Sequence, residues 1–255
     1  MTAKTQKVAL VTGAGKRIGK AIALALADRG WDIAVHYKHS KNEAESTAAS
    51  IQSRGRRALT VQCDLADEEA VRTLLPRCLE ALGSVTCLVN NASLFQFDSA
   101  ASLNITSLDS HLRTNLAAPL LLAQALAAAL PYGCKGVIIN LLDQKLANLN
   151  PDFFSYTLSK AALQTATVML AQALAPAIRV VGVSPGITML SGGQTQAGFD
   201  HAHAMTPLGR SSTPEDIAAA VCFAAESPAI TGATLIVDGG QHLMPLPRDV
   251  MFIAQ

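Results

Sequence analysis

A chain of 255 residues, half of them hydrophobic, only 15% charged and with a formal net charge of +1, has room for one sizeable α/β domain. It carries no basic stripe for nucleic acid or for an anionic membrane surface, so its expected partners are small molecules and copies of itself. The five cysteines (Cys63, Cys78, Cys87, Cys134 and Cys222) form no C-x-x-C pair, and residues 1–15 run into an apolar strand without a secretory pattern, which predicts free thiols and a cytoplasmic setting.

Short β-rich apolar runs alternate with helical patterns along nearly the whole length. In chain order, strands are predicted at Lys7–Thr12, Asp32–Tyr37, Ala58–Cys63, Val85–Asn90, Gly136–Leu141, Arg179–Val183 and Thr234–Val237. Helices are predicted between them at Ile18–Arg29, Glu43–Arg54, Asp67–Leu82, Leu108–Leu130, Ser155–Ala175 and Pro214–Ala225. The third helix contains Pro76, which should kink or split it. The apolar run Leu116–Leu130 holds Gln124 and Pro119 and is too short by itself to span a bilayer, so it reads as a buried or interface helix. Continuous apolar strands such as V-A-L-V and V-I-I-N suit a parallel sheet covered on both faces. Residues 188–212, rich in Gly, Ser and Thr, read as a long functional loop near the strand ends.

The first strand runs into V-T-G-A-G-K-R-I-G, a glycine turn that opens a helix. Such a turn lets the backbone approach a pyrophosphate while the helix N-terminus presents free amides, so Gly13, Arg17, Ile18 and Gly19 are candidate cofactor residues. The alternative is a packing glycine alone. A preference for NAD would place a carboxylate at the end of the second strand, but H-Y-K-H-S stands there. Tyr37, Lys38, His39 and Ser40 offer cationic and hydrogen-bonding groups to a 2′-phosphate, which favours NADP over an ordinary solvated loop.

Tyr156 and Lys160 lie four apart, on one face of a helix. A lysine ammonium beside a phenol would draw its pKa down from about 10, making it a metal-free general acid and base. Asp143 stands thirteen residues earlier. An ionised carboxylate only accepts hydrogen bonds and would disfavour phenolate, so Asp143 serves the chemistry best when protonated. The plainer reading is a strand-end residue that satisfies a loop amide.

With T-G-x-x-x-x-x-G at Thr12–Gly19, N-N-A at Asn90–Ala92, Asn115, Y-x-x-x-K at Tyr156–Lys160 and P-G at Pro185–Gly186, the chain resembles the short-chain dehydrogenase/reductase family over essentially its full length. The resemblance implies a Rossmann-type, doubly wound seven-stranded parallel sheet in a single domain spanning 1–255. Residues 1–140 would bind the cofactor, 141–240 would carry catalysis and substrate, and 241–255 would form a tail. A homotetramer built on Leu108–Leu130 and Ser155–Ala175 is also implied. Within the family the chain is most similar to pteridine reductases, through T-G-A-x-K-R-I-G, H-Y-x-x-S at His36–Ser40, N-N-A-S-x-F at Asn90–Phe95, and Asp143 where ketone-reducing relatives have serine.

That similarity implies several roles. Tyr156 would supply the proton, Lys160 would hold the cofactor ribose and lower the tyrosine pKa, and Asn115 would anchor a water chain. Asp64 and Leu65 would flank the adenine, Asn91 and Ala92 the ribose, and Thr188 the phosphates, while Phe95 would stack on a pterin with Ser93 and Arg17 nearby. The expected activity is NADPH-dependent reduction of a dihydropterin or dihydrofolate. The alternatives are a general carbonyl or 3-oxoacyl reductase, or a catalytically silent cofactor sensor. The stretch from Phe95 to Leu108 matches no pattern and leaves one pocket wall undefined. His201 and His203 lack companion ligands, so a polar loop is a simpler reading there than a metal site. The Met- and Phe-bearing tail is expected to border a partner's pocket.

Overall fold

V-A-L-V in the first strand is buried on both faces, and its alternation decides what each face meets. In the computed structural model, which describes residues 7–190 and 195–252, Ala9 and Val11 point into one apolar layer and Val8 and Leu10 into the other. Seven strands follow this plan: β1 (Val8–Val11), β2 (Asp32–Tyr37), β3 (Ala58–Gln62), β4 (Cys87–Asn90), β5 (Gly136–Leu141), β6 (Ile178–Pro185) and β7 (Thr234–Val237). They form one parallel sheet in the order β3-β2-β1-β4-β5-β6-β7.

Helices α1 (Arg17–Asp28), α2 (Lys41–Gln52) and α8 (Pro214–Glu226) cover one face through Ile22, Leu26, Ile51 and Val221. Helices α3 (Glu68–Leu82), α5 (Ala118–Ala129) and α6 (Phe154–Leu174) cover the other through Leu74, Leu122, Leu126 and Ala171. Strand order reverses between β1 and β4, where parallel-sheet proteins open a crevice at the carboxyl ends of the strands.

Three expectations need correction. Pro76 does not split α3, which is continuous from its Asp67 cap to Leu82; Val71, Leu74, Leu75, Cys78 and Leu82 bury one face on both sides of it. The helix expected at Leu108–Leu130 starts earlier, as α4 (Ile105–Leu112), and reaches α5 through a π-helical turn at Arg113–Ala117. At 25 residues and a mean hydropathy of 1.2, this run is long and apolar enough to cross a bilayer by those measures. Here Ala118, Leu122, Ala123 and Leu126 are committed to the sheet, as befits a core helix. The loop at 188–212 contains α7 (Gln196–Ala204), capped when Thr195 Oγ1 accepts from the Gly198 N–H; residues 191–194 of that loop lie outside the described residues. Cys63, Cys78, Cys87 and Cys222 are buried thiols and Cys134 is a partly exposed one.

Candidate active site

Two cavities share Arg17, Ile18, Asn91 and Ser93 in their walls at the β1–β4 crevice. The larger, about 460 Å³, is lined by the turn residues Gly13, Arg17 and Gly19, by Tyr37, Lys38, His39 and Ser40, and by Asp64, Leu65 and Ala92. The smaller, about 230 Å³, holds Asp143, Tyr156, Lys160, Ser93 and Phe95 against Pro185, Gly186 and Thr188. Thr188, expected near phosphates, lines this smaller cavity with Lys160, Pro185 and Gly186, and its Oγ1 meets Ser212 Oγ at 2.8 Å. Asn115 lies behind the cavities.

The glycine turn fits a dinucleotide. Gly13 has φ +65°, and a Cβ on Gly19 would fall 2.2 Å from Gly13 O and 2.6 Å from Asn91 Nδ2. Gly19→Ala is therefore expected to weaken NADPH binding by at least about tenfold, roughly 1.4 kcal/mol, in a fluorescence titration. Asn91 Nδ2 donates to Thr12 O at 2.8 Å, and His36 braces the other side. The Gly13 N–H donates to His36 Nδ1 at 3.0 Å, which leaves Nε2 as the donor to Cys63 O, also at 3.0 Å. Arg17, at φ +54°, carries left-handed backbone strain of the kind that gathers at ligand sites. Lys38, expected to face a 2′-phosphate, forms an ion pair with Asp64 at 2.8 Å.

His36 also gives a pH signature. Burial foremost, with Arg77 adding to it against the opposing Cys63 carbonyl and Asp64, pushes its pKa from 6.5 down to about 4. The folded protein thus refuses a proton that the unfolded chain accepts below about 6.5. This contribution is complete above pH 6.5 and is lost as pH falls toward 4, amounting to about 3 kcal/mol. Urea unfolding at pH 7 and pH 5 should show the loss, and His36→Asn should remove that part of the slope.

The candidate reactive groups come from two elements. Tyr156 Oη donates to Asp143 Oδ2 at 2.6 Å, from the first turn of α6 to the segment leaving β5. Asp143 Oδ1 accepts from the Lys145 N–H at 2.8 Å, so the loop-amide role foreseen for it coexists with its bond to Tyr156. Withdrawal from water raises the Asp143 pKa against the opposing bonds from Tyr156 and Lys145. Burial and then the Asp143 charge raise that of Tyr156 well above 10. The expected lowering of the tyrosine pKa by Lys160 is thus overturned. Lys160 Nζ donates to Leu141 O at 2.6 Å, and its own pKa is pushed down to about 8 by burial. The phenol is held protonated, as a donor.

Asn115 sits in the π turn, a frequent mark of functional sites. Its Nδ2 donates to Leu94 O and to Ser159 Oγ, both at 2.9 Å, and its Oδ1 accepts from the Leu94 N–H at 2.7 Å and from Ser93 Oγ at 3.2 Å. It therefore fixes the loop bearing Ser93 and Phe95 to α6.

Phe95 presents a partly exposed ring to the pocket, with Tyr156 edge-on at 4.7 Å and Phe153 stacked on it at 4.2 Å. One face of Phe95 is therefore already taken by protein. The wall left undefined by sequence holds Asp98, which caps α6 by accepting from the Ser155 N–H at 2.9 Å and from Ser155 Oγ at 2.5 Å. His203 Nδ1 accepts from the Ser211 N–H at 3.2 Å and so ties α7 to the loop that follows it. The tail does what was expected of a neighbour's: Asp249, Val250 and Met251 line the pocket of their own chain. Sequence reasoning passed over Ser159, Lys145 and Asp249, and named His36 in a motif without giving it a role. Only His36 had a signal, as an imidazole inside an apolar strand beside the glycine turn.

Comparison with known proteins agrees with this arrangement. Residues 13–242 match the family model described as enoyl-(acyl carrier protein) reductase. An uncharacterized oxidoreductase of Methylorubrum extorquens is 37% identical over 92% of this chain and 97% of its own. The 3-oxoacyl-[acyl-carrier-protein] reductase FabG of Staphylococcus aureus is 33% identical over 94% of this chain and all of its own. Among solved structures, the FolM alternative dihydrofolate reductase 1 of Brucella canis, complexed with NADP, superposes with a TM-score of 0.88 at 41% identity, covering 93% of this chain and 95% of that one. The glycine turn, the Tyr156–Lys160 pair, the sheet order and these relatives together make the chain a member of the short-chain dehydrogenase/reductase family.

Proposed function

We propose that the protein is an NADPH-dependent reductase of a pteridine, taking a dihydropterin or dihydrofolate to its tetrahydro form. The observation that carries this reading is the 2.6 Å bond between Tyr156 and a carboxyl group whose pKa is raised. NADPH held along the glycine turn would supply hydride. When a ring C=N bond is reduced, its carbon takes that hydride and its nitrogen takes a proton. Tyr156 can deliver the proton, and a protonated Asp143 can replace it on the phenol from solvent. Phe95 offers a flat apolar surface, and Arg17 and Ser93 offer polar contacts at the junction of the two cavities. The NADP complex of the Brucella FolM dihydrofolate reductase supports the same reading.

A second reading, reduction of a 3-oxoacyl or other carbonyl compound, draws support from the FabG relative. The Tyr156 hydroxyl could protonate a carbonyl oxygen as it could a ring nitrogen, so the substrates themselves must decide between the two. NADPH oxidation measured against a panel of dihydropterins, dihydrofolate and small ketones separates the two. Turnover of ketones without turnover of any pterin at saturating cofactor rejects the first.

A cytoplasmic homotetramer belongs to the same proposal. Ile105 of α4 and Leu158, Val168 and Met169 of α6 are exposed apolar side chains on the two helices concerned. Light scattering on the purified protein measures the assembly.

A further inference from the structure

The family match ends at residue 242, yet the chain continues into the substrate cavity. Three anchors hold this extension. Asp249 Oδ2 accepts from Lys145 Nζ at 2.9 Å, and Lys145, itself only 3% exposed, is the residue whose backbone N–H bonds Asp143. Arg248 Nε and the Asp249 N–H both donate to the buried Asp152 carboxylate, at 2.8 and 2.7 Å, just ahead of α6. Phe252 meets Phe97 at 5.4 Å and Phe153 at 6.1 Å, and Phe153 is the ring that stacks on Phe95. On its far side Val250 packs with Ala202 of α7. One short segment thus ties together the end of β5, the start of α6, the aromatic wall and α7.

A buried ion pair such as Lys145–Asp249 is poor value as a stabiliser, because desolvating both charges offsets much of their attraction. Its position points to shaping the pocket. The cavity it helps close, about 230 Å³, also has Lys160, Pro185 and Gly186 in its walls, so the cofactor end and the substrate would share a compact space. We propose that Leu246–Phe252 forms the substrate-selecting wall of its own active site, fitted to a compact heterocycle and closed to extended acyl thioesters. This rests on the pteridine reading for its preferred substrate.

The test compares the full chain, Arg248→Ala and a chain ending at Leu246, with dihydrobiopterin and acetoacetyl-CoA as substrates and NADPH affinity as control. Arg248 is half exposed and outside the cavity lining, so its loss loosens the anchor while leaving the pocket residues in place. The shortened chain should raise the pterin KM by about tenfold or more and shift the kcat/KM ratio at least about tenfold toward the thioester, with NADPH affinity within about twofold. Arg248→Ala should move the ratio in the same direction by about threefold. It decides the matter if the shortened chain does not fold. An unchanged ratio, or a parallel loss of NADPH binding, overturns the proposal. If the full chain reduces the thioester and no pterin, the pteridine reading fails by itself. The wall is then judged by whether trimming raises thioester kcat/KM, and no rise overturns it.

Discussion

Tyr156→Phe is expected to lower kcat by on the order of 10²–10⁴, the usual weight of a positioned general acid, while NADPH binds as before. Phenylalanine keeps the ring that meets Phe95 edge-on at 4.7 Å and removes only the hydroxyl. That hydroxyl is the sole element of Tyr156 that bonds Asp143. Because burial and the neighbouring carboxyl lift the phenol well above 10, it carries its proton throughout the neutral range. The pH dependence of reduction should then follow Asp143, the group that restores the proton. Its pKa is raised, so its acid form persists above the ordinary carboxylate range near 4 and is lost as pH rises through the raised value. Pterin kcat should be highest on the acidic side and decline with rising pH. A pH profile of single-turnover rates checks this, and a rate that climbs as pH rises would refute it.

Asp143→Ser is expected to cost pterin turnover about 10²-fold or more and to improve reduction of small ketones. Serine offers a hydroxyl donor to a carbonyl oxygen but cannot pass an acidic proton to Tyr156. Asp143→Asn separates proton supply from shape, since the amide fills the same space without an acidic hydrogen. Loss of pterin activity in both variants assigns the acid, while retention in Asn reduces Asp143 to a fixed support for Tyr156. Stability should move the other way. A carboxyl whose folded pKa lies above its unfolded one favours the fold most below the unfolded value, near 3.8, and that contribution is lost as pH rises through the folded value. At neutral pH a carboxyl with a raised folded pKa is therefore a burden on the fold. Both variants should unfold at a higher temperature than the parent at pH 7, the familiar opposition between stability and activity.

What could be read from residues alone was whatever repeats at short range. The V-A-L-V alternation placed β1 between two layers, the spacing of Tyr156 and Lys160 put both on one helix face, and the glycine motif foretold the sharp turn that Gly13 makes at φ +65°. Distances of tens of residues defeated the same reasoning. Lys145 and Asp249 are 104 positions apart, and nothing local marks them as partners. The tyrosine shift was assigned the wrong sign because burial and then the Asp143 charge set it, and the depth of burial is invisible in the Y-x-x-x-K spacing. Pro76 misled for a related reason: propensity describes an isolated helix, whereas five buried side chains hold α3 to the sheet.

The π turn at Arg113–Ala117 amounts to one surplus residue lodged in an otherwise regular helix. Because such a turn takes about one residue more than an α-helical turn, deleting one position inside it would leave His111 before it and Leu122 after it facing much as they do now. The helix could therefore be assembled with one residue fewer, at the expense of Asn115, which secures the Ser93–Phe95 loop, and of Thr114, which lines the larger cavity. Loss of a single codon there would separate a well-formed protein from a working one.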